Sequence, residues 1–279
     1  MTKQKITPGQ MLVEKLVAAI EQGQATGKWI RPWRAGSSNN PVTGRSYSGG
    51  NALYLAMYRA FAEVEHTEWY ATLKQWNSVG AKVRSGEKGL TLTGYPKAVE
   101  KKDADGNVLS SYTHWGSFTV FNSSQVEGWT PPELTTVATE QDVRDRFQAI
   151  IDRHGIVVNT GTAAYYMPTT DELTMPPIAS FPVEDNYWSV LAHEAIHWTG
   201  HPSRLDRIKI GSHTGDAYAF EELVAELGSV FVSAEFGVVP ESDANILAYL
   251  GSWHRQIKKD KDCVRKAAAA AAAAANFLK

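Results

Sequence analysis

Cysteine is nearly absent from this chain. One thiol, Cys263, among 279 residues excludes a disulfide framework and any thiolate metal cluster, and fits a reducing compartment. Long apolar runs are missing too. None approaches the roughly 18 residues that span a bilayer, so no membrane partner is expected. Lys3 and Lys5 precede no apolar stretch of the kind a secretory signal carries, and the expected location is the cytoplasm. Neither sign of charge dominates: 28 Lys/Arg face 30 Asp/Glu. What is present, 43% hydrophobic and 21% charged residues, is the composition of a chain that buries a core, not of a disordered or collagen-like one. The length allows one large domain or two of roughly 150 residues.

The near-zero net charge conceals a gradient. Residues 1–130 hold 15 basic against 10 acidic side chains, and residues 131–279 hold 13 against 20. Six of the nine tryptophans also lie in the first part. An acidic polymer is drawn to the first part and repelled by the second. The local patterns divide at the same place, because Trp129-Thr130-Pro131-Pro132 stops regular structure. Two domains are expected, 1–130 and 131–279, each mixing helices and strands in an α+β arrangement. The first is expected to open with a helix from Thr7 to Gly23, followed by a long Gly-rich loop to Asn51. Helices follow over 52–62 and 72–79, then short β-prone runs at 90–95, 108–112 and 118–121, two of them joined by a turn at Asp105-Gly106-Asn107. The second is expected to start a helix at Thr139, place strands at 156–158 and 163–166, and carry helices over 187–199, 217–236 and 245–279.

The sharpest chemical signal is His193-Glu194-Ala195-Ile196-His197. Residues four apart share one helical face, so both imidazoles can hold one divalent cation. Neutral imidazole suits zinc, with manganese as the alternative. Glu194, next to the first ligand, is placed to act as general base on a water. A third histidine at the spacing after Gly200 is excluded, because that position is Ser203. Glu222 and Glu226 lie beyond on the next helix, four apart and on one face. If Glu222 is the third ligand, Glu226 is placed to accept a proton from a ligand imidazole. Tyr218 and His213 are further polar candidates for an oxyanion, each with a purely structural alternative. Tyr165-Tyr166-Met167 reads equally as a strand at the edge of the site or as a core strand.

In the first part, Lys28, Arg31, Arg34 and Arg45 are interleaved with Trp29, Trp33 and Tyr47, and Lys82, Arg84 and Lys88 form a second basic cluster. Aromatic faces stack on unpaired bases and cations hold phosphates, so these ten residues are the candidate contacts to single-stranded DNA. The alternative is that the aromatics are core and the charges solvated.

These stretches carry a resemblance. Trp29-Ile30-Arg31-Pro32-Trp33, the segment from Asn40 to Asn51, Gly86-Glu87-Lys88-Gly89, the segment from His193 to Pro202, and the segment from Glu221 to Glu226 resemble the ArdC antirestriction family of conjugative plasmids. The resemblance implies an N-terminal single-stranded-DNA-binding domain and a C-terminal zincin-like metallopeptidase domain. It also implies that Glu222 is the third ligand, and that such a protein protects incoming plasmid DNA from host restriction. Its protein partner, if it cuts one, is expected to be a DNA-bound host protein such as a restriction enzyme. Nine consecutive alanines, 267–275, depart from the family's pattern, and no chemistry is assigned to them.

Overall fold

The computed structural model describes residues 17–18, 21, 38–61, 66–102, 108–132, 139–209, 215–238, 250–260 and 262–279. The expected opening helix and the turn at 105–107 therefore lie almost wholly outside the described residues. The chain divides into two compact units: Met1–Ser37 with Ser48–Glu63 and Glu133–Lys279, and Ser38–Tyr47 with Val64–Pro132. Both mix helix and strand, giving the α+β class.

The division does not follow the simple cut at residue 130. Helix α1 (Gly49–Phe61) belongs to the larger unit. Its residues Leu53, Ala56 and Met57 recur at helical spacing and are buried in that unit's core, packed against the C-terminal helix. The apolar stripe decides the helix's place, and position along the chain does not.

In the smaller unit, β1 (Tyr70–Ala71) precedes a short helix α2 (Leu73–Ser78), started by a capping box between Thr72 and Gln75. Strand β2 (Lys82–Val83) pairs with β5 (Val126–Glu127). Between them runs one long antiparallel hairpin, β3 (Leu90–Lys102) and β4 (Val108–Asn122). The three separate β-prone runs are thus parts of two continuous strands. A register shift between Thr93 and Pro96 accommodates the interruption, where Gly94 lies against the backbone of Gly116. Trp76 is fully buried and its Nε1 donates to the carbonyl of Phe121 at 3.0 Å.

In the larger unit, α3 (Glu140–His154) starts on a Thr139–Asp142 capping box and ends at Gly155 with φ 63°. A three-stranded sheet follows, in the order β6 (Val157–Thr160), β8 (Glu172–Met175), β7 (Tyr165–Met167). The central strand β8 falls in a proline-bounded stretch that reads as loop. Its alternation is its only signal, with Leu173 and Met175 buried and Glu172 and Thr174 half-buried. Two long helices, α4 (Glu184–Thr199) and α5 (Asp216–Phe236), pack on each other and on the sheet. The expected single helix at 245–279 is two, α6 (Leu250–Lys259) and α7 (Cys263–Leu278). Asp260 breaks it: its Oδ1 accepts from the amide of Asp262 at 2.9 Å, offering the backbone a turn in place of the helix.

Gly228 sets the spacing of α4 and α5. A Cβ there would stand 2.8 Å from Ile196, which is itself fully buried. Gly228→Val is expected to force the helices apart and cost about 1–3 kcal/mol in unfolding free energy, as overpacking does. Denaturant unfolding checks this; an unchanged midpoint would contradict the spacing role.

Candidate metal centre

Helix α4 presents His193 and His197 one turn apart, and α5 lies against it carrying Glu221, Glu222 and Glu226. The two Nε2 atoms are 3.2 Å apart. Glu222 completes a triangle, with Oε2 3.5 Å from Nε2 of His193 and Oε1 3.4 Å from Nε2 of His197. Donors about 2.0–2.1 Å from a tetrahedral ion are roughly 3.3 Å from one another, and each imidazole nitrogen has the other and one oxygen of the Glu222 carboxylate near that distance. Two imidazole nitrogens this close share either a proton, as an N–H···N hydrogen bond, or a cation between their lone pairs. Among the described residues, His193, His197 and Glu222 are the group whose donor atoms converge.

The opposite ring nitrogens face other carboxylates. Nδ1 of His193 is 4.0 Å from Oε2 of Glu226, and Nδ1 of His197 is 3.4 Å from Oε1 of Glu221. The structure thus brings Glu226 behind His193 and Glu222 in front of both imidazoles. Glu194, Glu221, Glu222 and Glu226 are all buried. Burial depresses the His197 pKa, but Glu221 and Glu222 outweigh it and, in the polypeptide alone, push it up to about 10. Burial raises the Glu222 carboxyl, yet the two imidazoles hold it well below the usual carboxylate range. His197 and Arg207 do the same for Glu221 against its burial.

The nucleic-acid candidates scatter. Lys28, Trp29, Arg31, Trp33 and Arg34 lie outside the described residues. Arg45, Lys82 and Lys88 are exposed. Arg84 is exposed as well but is tied to its own unit, and Tyr47 is half-buried. The Arg84 guanidinium donates to Glu87 at 2.9 Å and to the carbonyl of Ser124 at 2.6 Å. The Tyr47 hydroxyl donates to the carbonyl of Tyr70 at 3.0 Å and accepts from Asn40 at 3.3 Å. Ser124 and Tyr70 are distant in the chain, so composition alone does not reveal these ties.

Residues 8–127 match the N-terminal domain of the anti-restriction factor ArdC, and residues 145–270 match a zincin-like metallopeptidase domain. The antirestriction protein ArdC of plasmid R388 is 35% identical in its metal-free structure, over 97% of this chain and 96% of that one, with a TM-score of 0.77. Its Mn(II)-bound structure is 34% identical over the same shares, with a TM-score of 0.74. The chain belongs to the ArdC antirestriction family. Among curated proteins, an uncharacterised Sinorhizobium fredii protein, y4eC, is 31% identical over 96% of this chain and 90% of its own length. Two Escherichia coli DNA primases named TraC are 34% and 32% identical, but the chain spans only 19% and 27% of their length.

In this ArdC-family chain the triangle opens into a cavity of about 200 Å³ whose walls include Glu194, Tyr165, Tyr166 and Tyr218. His213 lies outside the described residues. Strand β7 is an edge strand, as one of the two sequence readings had it, with Tyr165 and Met167 exposed. A brace missed in the sequence holds it. The Tyr166 hydroxyl donates to Asp171 at 2.7 Å, and Arg204 donates to both oxygens of Asp171 while its Nε reaches the carbonyl of Trp198 at 2.7 Å. Asp171 adopts φ 58°, a left-handed conformation that aspartate tolerates. Among the described residues no helix is long and apolar enough to cross a membrane.

A pH effect follows from His197. Its folded-state value of about 10 exceeds the ordinary 6.5, so this stabilisation is complete below pH 6.5 and is lost as pH rises toward 10. Metal-stripped protein is expected to lose thermal stability over that window, whereas loaded protein, in which the ion has replaced the proton, is not. Scanning calorimetry of both forms checks this; parallel pH profiles would contradict it.

Proposed function

We propose that this chain is an antirestriction protein of a conjugative plasmid that binds single-stranded DNA and shields it from host restriction as it enters the recipient. It carries a metal-dependent, peptidase-like site. The observation that carries the reading is the convergence of His193, His197 and Glu222, with Glu194 in the adjoining cavity wall, in a chain similar to ArdC over nearly its whole length. The donor set of two imidazoles and one carboxylate favours zinc, and the Mn(II)-bound relative makes manganese the ion to test beside it. A bound divalent ion would supply Lewis acidity and lower the pKa of water. Glu194 would accept the proton of an attacking water, and Tyr218 would donate to an oxygen that gains charge. The DNA is assigned to the basic and aromatic residues of the first 130, with Arg45, Lys82, Arg84 and Lys88 as its exposed described members. The compartment that fits is the cytoplasm of the recipient cell.

A second reading is an active metalloprotease that cleaves a host DNA-bound protein. It is favoured by β7, whose exposed edge beside the cavity suits an extended peptide.

Glu194→Ala separates the two. With metal and DNA binding intact, protection retained in cells removes the protease reading, and protection lost removes the pure-binding one. For the DNA assignment, replacing Arg31, Arg34 and Arg45 together by alanine is expected to weaken binding to a single-stranded oligonucleotide. It should also reduce the salt slope by about 2, since each phosphate contact on a single strand contributes about 0.7. Fluorescence anisotropy across a salt series measures both, and unchanged values contradict the assignment.

A further inference from the structure

Glu221 and Arg207 take no part in the triangle, yet both are nearly buried, with side chains 7% and 12% exposed. Their geometry is specific. Nε of Arg207 donates to Oε2 of Glu221 at 3.0 Å and Nη2 donates to Oε1 at 2.9 Å, so the carboxylate is gripped by both oxygens. The guanidinium is fixed in turn by α4. Nη1 donates to the hydroxyl of Thr199 at 3.1 Å and Nη2 to the carbonyl of Ile196 at 2.8 Å. The gripped oxygen Oε1 is the one that lies 3.4 Å from Nδ1 of His197.

Glu221 and Glu222 are consecutive on α5, so their side chains diverge, and they meet the two different nitrogens of one imidazole. Glu222 lies against Nε2 and Glu221 against Nδ1. An acceptor at Nδ1 keeps the proton there and leaves the Nε2 lone pair for an ion.

The return loop after α4 delivers Arg207 to this place. The carbonyl of Gly200 accepts from the amides of Arg207 and Ile208 at 2.9 and 2.8 Å, folding the chain back over the helix end. Gly200 has φ −79°, which any residue adopts, so its conformation does not require glycine. Its bareness does. A Cβ would stand 2.9 Å from Cγ1 of Ile208 and 3.0 Å from Nη2 of Arg207.

We propose that Arg207 and Glu221 are positioning residues that fix the tautomer and orientation of His197 for the ion, and that Gly200 is a glycine so that the guanidinium can pass. This rests on the reading of His193, His197 and Glu222 as ligands.

The test uses the full chain and two readouts: zinc affinity by competition with a chromogenic chelator, and the visible spectrum of the Co(II)-substituted protein. Arg207→Met and Glu221→Ala are expected to weaken zinc binding about 10–100-fold, the usual effect of removing a partner behind a ligand. Both should change the Co(II) bands. Arg207→Lys, which keeps the charge but not the two-pronged grip, is expected to recover part of the affinity. Gly200→Ala should fall on the same side as Arg207→Met. Arg204→Met removes an equally enclosed guanidinium from the same loop without touching His197, and is expected to leave the Co(II) bands in place.

Wild-type zinc affinity and spectrum in Arg207→Met would overturn the positioning role alone. If Arg207→Met does not fold, the isosteric Glu221→Gln decides by the same two readouts. Failure of the unaltered protein to take up either metal would overturn the ligand reading, and this inference with it.

Discussion

Four carboxylates are buried along two packed helices, and their burial is the constraint around which the larger unit is organised. A carboxylate away from water is tolerated only beside compensating charge or donors. Here two imidazoles stand between the acids, Arg207 grips one of them, and donor atoms of three residues converge where a cation could be held. The approach that makes this possible depends on Gly228, whose missing side chain lets α5 close on Ile196 of α4. Packing, charge and chemistry are therefore one problem in this unit. The distance that fills the core also sets the distance between the two imidazoles of α4 and the carboxylate of Glu222.

Much of this centre is legible in the amino-acid order, because helical geometry is local. The four-residue spacing of His193 and His197 fixes their shared face, and the same rule relates Glu222 to Glu226. Capping boxes at Thr72 and Thr139 mark helix starts for equally local reasons. What pattern could not supply were the tertiary partners. Glu221 reads as one more acid in an acidic helix, and only the returning loop identifies it as the partner of Arg207. Strand β8 is short and framed by prolines, and it becomes a strand because β6 and β7 pair with it on either side. The break at Asp260 carries no glycine or proline; a side-chain oxygen capturing a backbone amide makes it.

The smaller unit shows the limit of composition as a guide to binding. Tryptophan and arginine enrichment suits a single-stranded nucleic acid, and equally suits a small core with internal ion pairs. The structure divides the set. Trp76 is central core, Trp129 packs edge-on against both Trp76 and Trp69, and the exposed Arg84 ties the turn after β2 to the Ser123–Gln125 segment, while Arg45, Lys82 and Lys88 face solvent. For the arginines and lysines, engagement by internal partners, more than residue type, separates the two uses.

The placement of α1 bears on how such a chain can be inherited. Because Leu53, Ala56 and Met57 complete a core shared with α3, α4, α5, α6 and α7, all of which follow residue 139, no single cut leaves both halves whole. A fragment ending near residue 130 would keep an oily helix without its socket, and the remainder would keep the socket without its filling. Recombination that respects folding must then carry the whole stretch as one cassette. Its recurrence within much longer TraC primases is what such indivisibility leads one to expect.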